Sequence, residues 1–65
     1  MTCKWLFVET LDLYTCHLGE WTLNAAHGSW SVTDGKRYAS GGAVGVDQAK
    51  SLAEAAFDRK RKEWG

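Results

Sequence analysis

The chain has 65 residues, a mass of 7.2 kDa and no net charge at neutral pH. A chain of this mass buries about 60% of the surface that its unfolded form exposes, which allows one domain with a small core. Hydrophobic residues at 45% and charged residues at 25% are typical of a folded globular protein. Zero net charge argues against a protein that mainly neutralises phosphates. With no apolar run of ~20 residues and no secretion leader, we expect a cytoplasmic protein that does not contact membranes.

Residues 1–44 have the composition of short strands joined by tight turns. The strand-like runs are 4–10, 13–18, 21–26, 29–33 and 36–40. Leu11 and Asp12 predict a hairpin between the first two runs, and Asp34-Gly35 predicts a type I′ hairpin turn between the last two. Because the runs follow one another with short connections, we expect an antiparallel meander of four strands, with a fifth as the alternative.

Residues 45–65 predict a single helix. The apolar residues Ala49, Leu52, Ala53, Ala56 and Phe57 fall at i, i+3, i+4, i+7 and i+8, which places them in one stripe. Either Asp47 caps the helix, or Gly45 caps it and Asp47 lies just inside the first turn. The sequence therefore predicts an α+β fold in one domain, 1–65, with the sheet in 1–44 and the helix packed on one face of it.

The two cysteines, Cys3 and Cys16, could form one disulfide, but small secreted domains stapled by disulfides usually carry four or more cysteines. We therefore expect two reduced and partly buried thiols. Together with His17 and His27 they make four potential zinc ligands. The spacing matches neither C-x-x-C nor H-x₃₋₅-H, so we expect no metal and no other cofactor.

Eight aromatic side chains are a large number for a chain of this size. One helix covers one face of a sheet, and the first strand is apolar on both faces. Either loops and sheet curvature bury the surplus, or an exposed aromatic patch binds a partner protein or a second copy of the chain. The predicted partner-binding residues are Trp5, Trp21, Trp30 and Tyr38, with Arg59 and Arg61 at the periphery.

The run of four cations near the end of the chain has two interpretations. Cations are favoured at a helix C-terminus, where they complement the helix dipole. Alternatively, they contact the phosphates of a nucleic acid while Trp64 stacks on a base. The residues of this alternative site are Arg59, Lys60, Arg61, Lys62 and Trp64.

No set of reactive side chains suggests catalysis. Cys16 and His17 are adjacent in a predicted strand, so their side chains point to opposite faces. Asp12 and Asp34 are typical turn residues. Since no nucleophile, base and orienting group can be assembled from these positions, we expect a protein that is not an enzyme.

Residues 28–43 and 48–56 resemble small sheet-plus-helix proteins of phages and prophages. There a tryptophan-bearing hairpin that ends in "ASG-x-A" leads into an "AK-x-x-AE-x-A" helix, as in Ala39-Ser-Gly-Gly-Ala and Ala49-Lys-Ser-Leu-Ala-Glu-Ala-Ala here. Some phage proteins of this size, anti-CRISPRs among them, inhibit host defence complexes stoichiometrically. The resemblance implies a binding protein that sterically inhibits a bacterial host complex. The alternatives are a nucleic-acid-binding protein and a homo-oligomeric structural phage protein.

Overall fold

A computed structural model describes residues 3–64 of the chain. Five antiparallel strands form one sheet in the order β1-β2-β3-β4-β5, and a single C-terminal helix packs against it. The elements are β1 Leu6–Val8, β2 Leu13–Leu18, β3 Trp21–Ala25, β4 Ser29–Thr33, β5 Tyr38–Gly42 and α1 Val46–Trp64. The predicted α+β meander with one C-terminal helix is confirmed, with five strands.

The core lies between α1 and the centre of the sheet. The backbone of α1 approaches β3 and β4 most closely and reaches β5 at its margin. Leu23 and Val32, which are paired across β3 and β4, are fully buried beneath it. The buried residues of the helix are Ala49, Ala53, Ala56 and Phe57. Because three of these four are alanines, the helix can approach the sheet closely.

The first turn of α1 distinguishes between the two predicted N-caps, Asp47 and Gly45. The carbonyl of Gly45 accepts the first helical hydrogen bond, from the Ala49 amide at 3.1 Å, so Gly45 is the N-cap. Asp47 lies inside the first turn, where its charge is favourable. The side chain of Gln48 accepts a hydrogen bond from the Val44 amide at 2.7 Å and so ties the incoming chain to the helix. Leu52, assigned to the apolar stripe, lies at its margin and is 37% exposed.

The β4–β5 hairpin forms as predicted, but the prediction of a type I′ turn is wrong. The connection spans four residues, 34–37, and Gly35 has a positive φ whereas Asp34 does not. The Asp34 carboxylate accepts hydrogen bonds from the amides of Lys36 (2.9 Å) and Arg37 (2.7 Å). This side-chain cap supports a wider loop, so the last strand begins at Tyr38.

The expectation of two reduced thiols is also wrong. Cys3 and Cys16 form a disulfide, and their Cα atoms are 6.1 Å apart. Cys16 lies on the helix side of β2 and is buried. The segment before β1 runs alongside β2, which brings Cys3 next to Cys16. Sequence spacing does not show this proximity, because it depends on where the chain passes before the first strand begins.

Candidate functional site

The two faces of the sheet differ in chemistry because alternate residues of each strand point to opposite sides. The helix side carries four of the five aromatic residues of the strands, Phe7, Tyr14, Trp21 and Trp30. The opposite side, here called the outer face, carries Tyr38 and is free of the helix. The outer-face strand residues are Leu6, Val8, Leu13, Thr15, His17, Thr22, Asn24, Ser29, Ser31, Thr33, Tyr38 and Ser40. Within residues 3–64, the helix does not cover this face.

The middle of the outer face is a row of small polar side chains. Asn24 donates a hydrogen bond to the Ser31 hydroxyl at 3.2 Å, and Thr15 donates to the carbonyl of Leu23 at 3.2 Å. The Thr22 hydroxyl lies 3.3 Å from Nδ1 of His17. Because these groups are paired within the sheet, a partner can cover them without first breaking strong bonds to water.

Apolar side chains flank this polar row. Leu6 is 53% exposed and Leu11, in the β1–β2 turn, is 66% exposed. Tyr38, on β5, is 67% exposed. Between Leu11 and Tyr38 the outer face forms an open groove of about 530 Å³, and Ser31 and Ser40 line its floor. The groove is large enough to accept one or two side chains of a partner.

Charge is excluded from the strands altogether. The chain has eight Lys or Arg and eight Asp or Glu residues, and none of the five strands contains one of them. Every charged residue therefore lies in the segment before β1, in a turn or in the helix. An uncharged face loses little on desolvation, which favours contact with another protein over contact with phosphates.

The predicted aromatic contact residues do not come together. Trp5, Trp21 and Trp30 are half-buried on the helix side and pack against the core. Of the four, Tyr38 alone lies on the outer face. Strand alternation places Trp21 and Trp30 on the helix side, where they pack beside the alanine-lined helix. Of the two interpretations of the many aromatic residues, packing within the fold therefore describes Trp5, Trp21 and Trp30.

Each tryptophan has a specific partner on that side. Trp5 donates its indole N–H to the Glu54 carboxylate at 2.9 Å. Trp30 lies against Gly41, where a Cβ atom would come within 2.8 Å of the indole nitrogen. Trp21 meets Phe57 edge-on, with ring centroids 5.2 Å apart. All three rings act in packing the fold.

The basic end of α1 does not form one cationic surface. Arg59, Arg61 and Lys62 are exposed and Lys60 is half-buried, and four successive residues point in different directions around a helix. Two of them pair with helix carboxylates, Lys60 with Glu63 at 3.6 Å and Arg61 with Asp58 at 3.4 Å.

Trp64 is part of the packing rather than a free stacking platform. Its ring stacks on Trp21 with centroids 5.6 Å apart and planes 11° apart. The guanidinium of Arg37 lies 5.1 Å from the same ring and donates a hydrogen bond to the Trp64 carbonyl at 2.7 Å. One ring face is thus occupied, and the indole holds the end of α1 against the β4–β5 turn.

Three of the four residues considered as metal ligands have other partners. Cys3 and Cys16 are bonded to each other, and His17 faces Thr22 on the outer face. Across residues 3–64 no three His, Cys, Asp or Glu side chains are grouped closely enough to hold a metal ion.

Sequence reasoning missed the outer-face residues Leu6, Leu11, Asn24, Ser31 and Ser40. It gave weight to aromatic residues and to the basic run. The signal that identifies this face is the alternation of small hydroxyl residues through β3 and β4 together with the absence of charge in every strand.

Comparisons with family models, with curated proteins and with solved structures found no match to this chain. Within the described residues, no helix combines the length and the apolar character that crossing a bilayer requires.

Proposed function

We propose that this protein is a non-enzymatic binding protein and that its outer face contacts another protein. The observation that carries the proposal is an uncharged, helix-free sheet face on which Leu11 and Tyr38 are exposed at a groove and Leu6 is exposed on β1. Exposed apolar surface marks protein-binding sites, and here the exposed apolar side chains lie on either side of a polar row. A buried aromatic or aliphatic side chain in a pocket usually supplies most of the binding energy at such a surface.

The size of the face limits the type of contact. Five strands of about five residues cover about 400 Å², whereas a stable complex buries about 800 Å² on each partner. A flat contact with the sheet alone is therefore too small. A partner must also enter the groove or reach the turn that carries Leu11.

The same argument favours a different protein over a second copy of this chain. In a two-fold dimer through this face, the groove of one copy lies opposite the groove of the other, so neither groove is filled. A partner with a protruding apolar segment fills the groove and gains the contact area that the flat sheet lacks. We therefore expect a monomer in solution.

The narrower form of the proposal is steric inhibition of a bacterial host complex, most specifically as an anti-CRISPR protein in the host cytoplasm. It rests on the resemblance of residues 28–56 to small phage proteins. The uncharged face is compatible with steric blocking of a protein surface. It does not suit mimicry of nucleic acid, which requires a strongly acidic surface.

The experiment that tests the proposal is affinity capture from bacterial lysate without added reductant, with and without nuclease, using three air-oxidised proteins. They are the natural chain, a Leu11→Ser, Tyr38→Ser double variant and a Val44→Ser control. Val44 is 86% exposed but lies in the β5–α1 connection, outside the face.

We expect one protein at constant stoichiometry from the natural chain and from the control after nuclease. The double variant should retain it at least about tenfold more weakly. Capture that disappears with nuclease, or that is equal for all three proteins, would contradict the proposal. Loss on nuclease treatment, combined with loss on replacing the four cations 59–62 by alanine, would instead support nucleic-acid binding.

A further inference from the structure

We propose that the Cys3–Cys16 disulfide controls the outer face by holding β1 on the sheet, so that reduction releases β1 and weakens partner binding. The structural part of this inference stands on the fold alone, and its consequence for binding rests on the proposed function. The disulfide lies on the helix side, opposite the face that it would control.

The first step of the argument is that β1 is weakly attached. It has three residues and pairs only with β2, through Leu6–Thr15, Phe7–Tyr14 and Val8–Leu13. Within the described part of the chain, its backbone approaches no other strand and not the helix. An edge strand this short has few hydrogen bonds and little buried surface to retain it.

The second step is that the residues just before β1 carry its strongest attachments. Cys3 is bonded to Cys16, which is 1% exposed and part of the core. Trp5 adds one hydrogen bond, to Glu54 of α1. The disulfide closes a short loop, with a sequence separation of 13, that contains all of β1 and the β1–β2 turn. A cross-link over a loop of about 15 residues shifts the local equilibrium by about 100-fold.

The third step connects β1 to the binding surface. Leu6 and Val8 point to the outer face, and Val8 is paired with Leu13, which lines the groove together with Leu11. When β1 leaves the sheet, Leu6 and Val8 leave the face with it. The turn that carries Leu11 then loses its attachment on one side. The complete binding surface thus requires the oxidised chain.

Reduction has a clear point of attack. Cys3 is half-buried whereas Cys16 is buried, so the thiolate of a dithiol reductant reaches the Cys3 sulfur. That attack forms a mixed disulfide at Cys3, breaks the protein S–S bond and releases Cys16 as a thiolate, which takes up a proton. The second thiolate of the reductant then displaces Cys3, which also becomes a thiol. Two electrons pass from the dithiol to the protein, and the reductant ends as a disulfide.

The redox state of the compartment then sets the activity. A reducing cytosol keeps most protein thiols reduced, whereas oxidising conditions form disulfides. In a reducing cytosol, including the host cytoplasm of the proposed inhibitor, the chain would bind its partner weakly until oxidation completes the face. The protein would accordingly respond to oxidising conditions by binding its partner more tightly.

The test is hydrogen exchange followed residue by residue, on the air-oxidised protein, on the same protein with dithiothreitol and on a Cys3→Ser variant. The amides of β1 report on its release. The amides of β3 and β4 around Leu23 and Val32 lie in the middle of the sheet and serve as the internal reference. No partner is required, so this measurement is independent of the proposed function.

We expect exchange in β1 to become about 100-fold faster in the reduced protein and in the variant, with β3 and β4 unchanged relative to the oxidised protein. Equal protection of β1 in all three samples would overturn the inference. So would equal acceleration throughout the sheet, which would make the disulfide a global staple, or two titratable thiols in the air-oxidised chain. Selective release of β1 with no protein captured by the oxidised chain would retain the inference about the fold and reject the proposed function.

Discussion

At the scale of single residues, the closest fit in the sheet is between Trp30 and Gly41. The two residues are paired across β4 and β5. A Cβ atom at position 41 would lie 2.8–2.9 Å from three atoms of the Trp30 indole. Glycine at this position therefore makes room for the tryptophan, which in turn packs against the core.

Gly41→Ala should lower the free energy of unfolding by about 1 kcal/mol or more. Overpacking costs about 1–3 kcal/mol, and the reduced entropy of the unfolded chain offsets about 0.4–1 kcal/mol of that. Gly42→Ala is the matched control, because its nearest neighbour would be a backbone oxygen at 3.9 Å. Urea denaturation of both variants measures the difference, and equal stability would show that Trp30 does not depend on this glycine.

Asp34 gives a second prediction at the residue scale. Hydrogen bonds from the backbone amides of Arg37 and Lys36 hold the pKa of its carboxyl below the ordinary value of 3.8. A carboxyl with a depressed pKa stabilises the fold above its unfolded-state pKa. That contribution is lost as the pH falls through the lower folded-state pKa.

The midpoint of the Asp34 carboxyl signal in an NMR titration should therefore lie below pH 3.8. Asp34→Asn keeps an oxygen that can accept the two amide hydrogen bonds but does not titrate. Its stability should consequently vary less with pH between about 2 and 4 than that of the natural chain. A midpoint at or above 3.8, or identical pH profiles for the two proteins, would count against this description of the turn.

At the scale of elements, the helix begins where the backbone conformation requires a glycine. Gly45 caps α1 with a φ of +91°, a conformation that costs other residues roughly 1–2 kcal/mol. Gly45→Ala should therefore destabilise the protein by about that amount. Gly28→Ala is the control, since its added Cβ atom meets nothing within 4 Å. Thermal unfolding measures the stability of the two variants. A Gly45→Ala protein as stable as the natural chain would mean that the cap adopts another conformation.

The elements themselves could largely be predicted from residue patterns. The helix follows from the 3.6-residue spacing of Ala49, Ala53 and Ala56, and β3 and β4 follow from alternation. The β4–β5 turn was harder, because the Asp34 side chain caps two amides and widens the loop. The disulfide was missed because the position of Cys3 depends on contacts outside any regular element.

At the scale of the whole molecule, one helix cannot cover a five-stranded sheet on both sides. It lies over β3 and β4, and its alanines leave room for tryptophans from the sheet. The sequence counts aromatic residues but does not show which side of the sheet they occupy. For that reason the predicted contact residues Trp5, Trp21 and Trp30 lie on the core side, whereas Tyr38 lies on the outer face.

The basic end of α1 supplies a prediction about the competing function. Replacing residues 59–62 by alanine should leave partner capture within about twofold of the natural chain, because these side chains lie on the helix rather than on the outer face. A fluorescent single-stranded oligonucleotide should bind weakly and with a small salt dependence. Steeply salt-dependent binding that disappears in the alanine variant would favour nucleic acid as the partner.

The most direct test of the outer face as the binding surface is a methyl NMR titration of the oxidised protein with the captured partner. Leu6, Leu11 and Leu13 report on the outer face, and the buried Leu23 and Val32 report on the helix side. We predict that the signals of the first three shift or broaden stoichiometrically while those of the last two stay in place. Changes confined to Leu52 and Val44, with the outer-face signals unmoved, would contradict the account.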